Sequence, residues 1–294
     1  MDKQDIIKKL NKSINSKFLE DINKRGLFDA VSHWDKKASH FDKKKFDTKD
    51  EQTYVKSIFD YIDSRISIKS DYSFLDVGAG TGILSIPLGN LSHKVTALDP
   101  SKNMLDILKT KSEETNACKY ITLINKRWRE AELEKDYQIH DIAIAHRSLG
   151  MISLDSKMNS DFNDAIMKLH NSAKKAVFIF FPGISDINTI ISENLDYSKG
   201  KREAFSDFEV SGDGIYNFVY TLGFYPRVDY IEIENIEHFN NVDEAVQKYM
   251  KYWKLDAKDD YSLVLDVLKQ QRILDDDGYV FDNKKRIKIL WWKK

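Results

Sequence analysis

The chain has 294 residues, 41% of them hydrophobic and 32% charged, and its 46 basic and 47 acidic side chains nearly cancel to a net charge of −1. That composition describes a soluble globular protein and leaves no basic surplus for a nucleic-acid partner. A single cysteine, Cys118, excludes an internal disulfide, and no apolar run approaches the roughly 20 residues that span a bilayer.

Residues Met1 to Asn11 are charged throughout and lack a signal-peptide core, so a reducing, cytoplasmic setting without a membrane partner is expected. Ile6, Leu10, Ile14, Phe18 and Ile22 recur at helical spacing and predict an amphipathic helix over 5–22. Residues 27–41 set Leu27, Phe28, Val31, Trp34 and Phe41 among charges, and the run Lys43-Lys44-Lys45 reads as a solvated loop. Tyr54, Val55, Ile58, Phe59 and Ile62 mark a helix over 52–66. Alternation of strand and helix then begins. Strands are predicted at 73–77, 94–99, 120–124, 141–145 and 176–181, with helices over 81–90, over 100–111 and through Phe162, Ala165, Ile166 and Leu169. Such alternation builds a parallel sheet with helices on both faces.

The last third departs from this rhythm. A helix over 215–222 is capped by Gly223, and a sixth strand follows at 228–233. Val242, Ala245, Val246, Tyr249, Met250 and Trp253 mark one further helix, and Tyr261, Val264, Leu265 and Leu268 another. Asp277-Gly278 reads as a turn and 287–292 as a final strand. The expected organisation is an N-terminal helical segment (1–70), an α/β core (71–235 and 286–294) and a helical cap insertion (236–285), together one compact body.

Chemistry concentrates at residues 74–82, Phe-Leu-Asp-Val-Gly-Ala-Gly-Thr-Gly. An apolar strand ends near Asp76, and Gly78, Gly80 and Gly82 follow at every second position before a helix-forming segment. Glycines here let the backbone bend beneath a ligand that a Cβ would displace. The dinucleotide pattern G-x-G-x-x-G would need a glycine at 83, which is Ile83. A carboxylate beside the loop repels a pyrophosphate but suits a ligand bearing an ammonium and a sulfonium. Asp99, 23 positions after Asp76, stands at the next strand tip, where an acid can bridge two ribose hydroxyls or cap the helix beginning at Pro100.

The pattern Asp76-x-Gly78-x-Gly80-x-Gly82, with Asp99 beyond it, resembles the first two motifs of the class I S-adenosylmethionine-dependent methyltransferases, and the plan resembles their small-molecule branch. The resemblance implies a doubly wound, seven-stranded, mostly parallel Rossmann-like sheet with an N-terminal helical lid and a helical insertion before the last strand. It implies S-adenosyl-L-methionine as cofactor, with Gly78, Ala79, Gly80, Thr81 and Gly82 under its amino-acid end and Asp76 accepting from its ammonium. Asp99 and Pro100 would lie at the ribose. Met104, Arg127 and Trp128 would lie toward the adenine, with core packing the competing reading for Met104 and Trp128. Trp34, Lys37 and Phe41 resemble a segment that folds over the cofactor, with Lys37 near its carboxylate. His146, at a strand end in His146-Arg147-Ser148-Leu149, would face the methyl donor and is the candidate base; a positioning or packing role competes with that.

Strand four ends without an Asn/Asp-Pro-Pro-Tyr-like motif, and Cys118, read as a half-buried filler, lies away from the catalytic edge. No cluster has metal-ligand spacing, so no metal is expected. A small-molecule methyl acceptor is therefore the expected partner. A nicotinamide-dependent oxidoreductase and a non-catalytic S-adenosylmethionine-binding module stand as alternatives. Tyr249, Tyr252, Trp253 and Tyr261 in the insertion could line an aromatic substrate pocket, although the helical spacing of Tyr249 and Trp253 favours core packing.

Overall fold

In the computed structural model, residues 2–43, 49–195, 212–253, 255, 258–270, 272–275 and 278–294 are described. Three helices come first: α1 (Lys3–Lys24), α2 (Ala30–Lys43) and α3 (Lys49–Ile66). The side chain of Asp2 caps α1 by accepting from Asp5 N, and the helix buries Ile14, Phe18 and Ile22. The apolar stripe read from the sequence is thus the face that meets the core. Lys44 and Lys45 of the predicted solvated loop lie outside the described residues.

The alternating region follows as β1 (Phe74–Val77), α4 (Ser85–Asn90), β2 (Val95–Leu98), α5 (Lys102–Glu114), β3 (Ile121–Ile124), β4 (His140–His146), α6 (Leu149–Ile152), α7 (Phe162–Asn171) and β5 (Ala173–Phe180). Every residue of β1 and β2 is buried, as strands covered on both faces must be. β1 pairs in parallel with β2 and β4, β2 with β3, and β4 with β5. The chain continues through β6 (Ile184–Ser185), α8 (Asp186–Asn194), α9 (Gly212–Leu222), β7 (Arg227–Ile233), β8 (Ile236–Phe239), α10 (Val242–Tyr252), α11 (Lys258–Gln270), β9 (Arg272–Asp275), β10 (Gly278–Asp282) and β11 (Lys285–Lys293). The main sheet has eight strands and runs β3-β2-β1-β4-β5-β11-β6 with β7 paired to β11, and β11 lies antiparallel to β5. Apart from the two-residue β6, this is the seven-stranded, mostly parallel Rossmann-like architecture expected. Strand order reverses between β1 and β4, so the crevice for a ligand opens at their C-terminal ends.

Two compact units divide the chain: Met1–Phe181, Phe208–Asp229 and Lys288–Lys294 in the first, Pro182–Asp207 and Tyr230–Ile287 in the second. In the first unit α1 is part of the body. Phe18 meets Phe162 edge-on, 5.4 Å between centroids, and Asn11 and Asn15 accept from the backbone N–H of Asn163 and Phe162 at the start of α7. The region expected to be a helical cap insertion (236–285) carries a three-stranded antiparallel sheet, β8-β10-β9, in addition to α10 and α11. Its strands have four or five residues each, too short to leave a period-2 signature beside the long helical repeats. Tyr249 and Trp253 are buried in the second unit's core with Ile187, Val264 and Phe281, which is the packing reading of their spacing. Cys118, expected as half-buried, is exposed.

Candidate active site

The turn after β1 is built from backbone. Gly78 N and Ala79 N both donate to Leu98 O, tying the loop to β2. Gly78, Gly80 and Gly82 adopt φ of +78°, +56° and +89°, a left-handed backbone that glycine enters without strain. Their surroundings differ. A Cβ on Gly78 would stand 2.4 Å from Ser148 Cβ, and one on Gly82 would stand 2.7 Å from Leu108 Cγ. A Cβ on Gly80 would meet nothing within 4 Å. Gly78 and Gly82 are therefore glycines because protein packs on them, whereas Gly80 faces open space.

Two buried carboxylates flank this turn. Asp76, 1% exposed, accepts from Ser85 Oγ through Oδ2 at 2.7 Å, and its Oδ1 is buried without a partner. Burial pushes its pKa up to about 6; the Ser85 bond opposes this and the charge of Asp99 adds to it. Asp99 accepts from Gly80 N through Oδ2 at 2.9 Å and from Ser101 N through Oδ1 at 2.8 Å. Burial raises it to about 6 as well, against those two bonds and with the charge of Asp35 adding. Asp99 thus fixes both the glycine turn and the start of α5, while each oxygen keeps a free lone pair. The cap of α5 itself is Ser101, whose side chain accepts from Met104 N. Thr81 Oγ1 is a second buried atom without a partner.

A cavity opens above the turn, lined by Asp76, Gly78, Ala79, Gly80, Thr81, Asp99, Pro100, Met104, Trp128, His146 and Trp34. These eleven of the predicted residues are brought together from β1, β2, α5, the segment after β3, the end of β4, and α2. Gly82, Arg127 and Lys37 are not among the lining residues. Gly82 is taken up by packing. Arg127 turns toward Glu130, Nε 4.0 Å from Oε1. Lys37 is exposed, and its Nζ lies 5.8 Å from the centre of the Trp34 ring. The Phe41 side chain lies outside the described residues.

The structure adds residues the motif did not name. Ile83, Leu98, Arg147, Ser148, Met151 and Ile152 also line the cavity. Ser148 Oγ donates to Val77 O at 2.6 Å, which seats the β4 loop against Gly78. Asp35 anchors α2 on α5: its Oδ1 accepts from Ser101 Oγ and from Asn103 N, and its carbonyl accepts from Asn103 Nδ2. Asn125 donates to the carbonyls of Asp99 and Pro100 and holds the β2 tip. Trp128, buried, donates from Nε1 to Ala165 O at 3.1 Å, so one residue serves both the core and the cavity wall. His146 Nε2 is hydrogen-bonded to Tyr54 Oη, on α3. A lone Asp among charges or a Tyr on an amphipathic helix carries no pattern, so Asp35 and Tyr54 had no sequence signal beyond the helices they sit on.

Chemically, the arrangement offers an unsatisfied carboxylate oxygen for a cation, a second carboxylate with spare lone pairs for hydroxyls, and apolar walls for a planar group. Residues 74–162, the stretch from β1 to the start of α7, match a family model described as a methyltransferase domain. An uncharacterized protein of Haemophilus influenzae is 27% identical over 173 residues, which are 58% of this chain. The chain spans 57% of the length of that curated relative. Among solved structures, the chain is similar to the magnesium protoporphyrin IX methyltransferase of Synechocystis PCC 6803 with bound SAH, at a TM-score of 0.48 and 15% identity, covering 82% of this chain and 83% of that one. It is also similar to the precorrin-6y C5,15-methyltransferase of Geobacter metallireducens, at 0.43 and 14%, covering 79% and 84%.

Proposed function

We propose that this chain, whose residues 74–162 match a family model described as a methyltransferase domain, is an S-adenosyl-L-methionine-dependent methyltransferase that acts on a small molecule. The observation that carries the reading is the pair of buried, unpartnered oxygens, Asp76 Oδ1 and Thr81 Oγ1, in the cavity above a glycine turn with open space at Gly80. A buried acceptor without a donor costs about 1–3 kcal/mol, more if charged. An ammonium against Asp76 and a polar group against Thr81 remove that cost, whereas the pyrophosphate of a nicotinamide dinucleotide would add a second anion beside Asp76.

Asp99 accepts from the ribose hydroxyls with the lone pairs left by Gly80 N and Ser101 N. Trp34, Met104, Trp128, Leu98 and Pro100 supply apolar surface for the adenine. When bound, the cofactor supplies an electrophilic methyl group on a sulfonium. The protein's task is then to align the acceptor and exclude water, which the apolar walls serve. For an acceptor that carries a proton, His146, whose Nε2 is hydrogen-bonded to Tyr54 Oη, is the group we assign to accept it. The helix α2, held by Asp35 and presenting Trp34, is the part of the N-terminal segment we assign as the lid. No helix among the described residues is long and apolar enough to cross a membrane. A reducing, cytoplasmic setting suits the exposed Cys118 thiol, and no nucleic-acid partner is assigned.

The test is transfer. Full-length protein incubated with methyl-labelled S-adenosylmethionine and a fractionated pool of metabolites below about 1 kDa is expected to label a discrete small molecule, and an Asp99→Asn variant is expected to label it about tenfold less, or weaker still, at donor concentrations below the parent's Kd. Label found only in protein or RNA, or none in any fraction despite cofactor binding, sinks the small-molecule reading.

A further inference from the structure

Arg147 is the part of this site that the cofactor reading does not use. It follows His146 directly and lines the same cavity. It is exposed, whereas Asp76 at the cavity floor is 1% exposed. Its backbone N–H donates to Phe180 O at 2.8 Å, but its guanidinium has no hydrogen-bond or ion-pair partner among the described residues. Among the described lining residues it is the only lysine or arginine, and the only carboxylates there, Asp76 and Asp99, belong to the glycine turn and the β2 tip.

The backbone adds a second observation. Arg147 has φ of +56°, a left-handed conformation in which a long side chain is uncommon and strained. Glycine or asparagine would be easier there. Strain of this kind persists where the side chain's position has a use. Here it sets a planar group with five N–H donors on the cavity lining, one residue before Ser148, which locks the loop by donating to Val77 O, and directly after His146, whose imidazole is held by Tyr54.

Resting on the methyltransferase reading above, we propose that Arg147 forms an anion subsite for the methyl acceptor, and that the acceptor is a small molecule bearing a carboxylate. A guanidinium with its fork of donors free pairs bidentately with a carboxylate, in a geometry that a neutral amide does not match. The cavity is then polarised: carboxylates at the floor take the cationic and hydroxylated parts of the cofactor, and a cation at the rim takes the charged end of the acceptor. The acceptor's reacting atom is thereby held on the His146 side. The cofactor's own carboxylate is the other possible source of that charge, and affinity for the demethylated cofactor separates the two.

The experiment uses full-length protein, its Arg147→Gln variant and its Arg147→Gly variant. S-adenosylhomocysteine affinity is measured first by calorimetry. Acetate and benzoate, with acetamide and benzamide as neutral counterparts, are then titrated into the saturated protein by ligand-observed NMR. The parent is expected to bind S-adenosylhomocysteine and to prefer each carboxylate over its amide by about tenfold or more, the scale of one charge-assisted pair at a half-open site. Both variants are expected to lose that preference while keeping S-adenosylhomocysteine affinity within about twofold, and Arg147→Gly is expected to melt no lower than the parent because glycine relieves the left-handed strain. A tenfold loss of S-adenosylhomocysteine affinity in both variants would overturn the proposal by giving Arg147 to the cofactor. Equal binding of acid and amide by the parent would overturn it outright. A parent that ignores S-adenosylhomocysteine would overturn the underlying function instead, whatever the carboxylates do.

Discussion

Replacing Asp76 by asparagine separates binding from stability because the two should move in opposite directions. In the ligand-free protein the Asp76 carboxyl is buried and its pKa stands at about 6 against an ordinary 3.8. That difference corresponds to about 3 kcal/mol between its charged and neutral forms. A folded-state pKa above the unfolded one gives stability that is fully present below about pH 3.8 and is lost as pH rises through about 6. Asparagine is neutral throughout, and its Oδ1 can still accept from Ser85 Oγ. Asp76→Asn is therefore expected to be more stable than the parent at pH 8, by up to about 3 kcal/mol, with the advantage shrinking toward pH 4. The amide nitrogen then faces the cavity where Oδ1 now lies unpartnered, and a donor meets the ligand's ammonium. Losing a charged hydrogen bond of about 1.5–3 kcal/mol predicts S-adenosylhomocysteine binding weaker by about 10- to 100-fold. Urea unfolding at pH 5 and pH 8 and calorimetry at pH 8 measure the two effects. An Asp76→Asn protein that is less stable at pH 8 and binds the ligand as the parent does would show that Asp76 is only a structural acceptor for Ser85, and the reasoning fails.

Gly80→Val is expected to abolish S-adenosylhomocysteine binding with little loss of melting temperature beyond its left-handed strain, whereas Gly82→Ala, whose Cβ would meet Leu108 Cγ at 2.7 Å, is expected to lower the melting temperature; the reverse pattern would misassign the turn. Asp99→Asn is expected to weaken the ligand by about tenfold or more, since it turns one acceptor toward the hydroxyls into a donor; calorimetry showing unchanged affinity would remove it from the site. S-adenosylhomocysteine affinity should fall as pH drops through about 6, where Asp76 takes up its proton, and binding at pH 6 should release protons, read by titration in buffers of different ionisation heat. His140 lies at the other end of β4, its Nε2 bonded to Thr96 Oγ1 and its Nδ1 buried without a partner, and burial lowers its pKa. Lowered in the folded state, it should drain stability as pH falls below its unfolded value of about 6.5, and His140→Gln should flatten that part of the unfolding profile.

The sheet and the floor of the site were legible because their signals are local. Phe74–Val77 and Val95–Leu98 are apolar runs broken by turn residues, and the glycine spacing after Asp76 carries its own backbone logic. Roles that depend on three dimensions were not. Gly82 belongs to the motif but is spent on Leu108 and Ile86. Lys37, expected near the cofactor carboxylate, lies over the Trp34 ring and is not among the described lining residues, a placement that depends on how α2 packs. Asp35, read as one charge among several, is the anchor of that helix. Tyr54 and His146 are 92 residues apart and meet only because α3 packs over the end of β4. In the second unit, four- and five-residue strands are too short to compete with helical periodicity, and so a small sheet was read as helix and turn.

The central claim is that the turn after β1 and the tip of β2 hold a sulfonium nucleoside. Calorimetric titration of the full chain at pH 7.5 with S-adenosylhomocysteine, and separately with NAD, tests it directly. Saturable one-to-one binding of S-adenosylhomocysteine with no heat from NAD is the expected result; NAD binding in its place, or silence from both, contradicts the account.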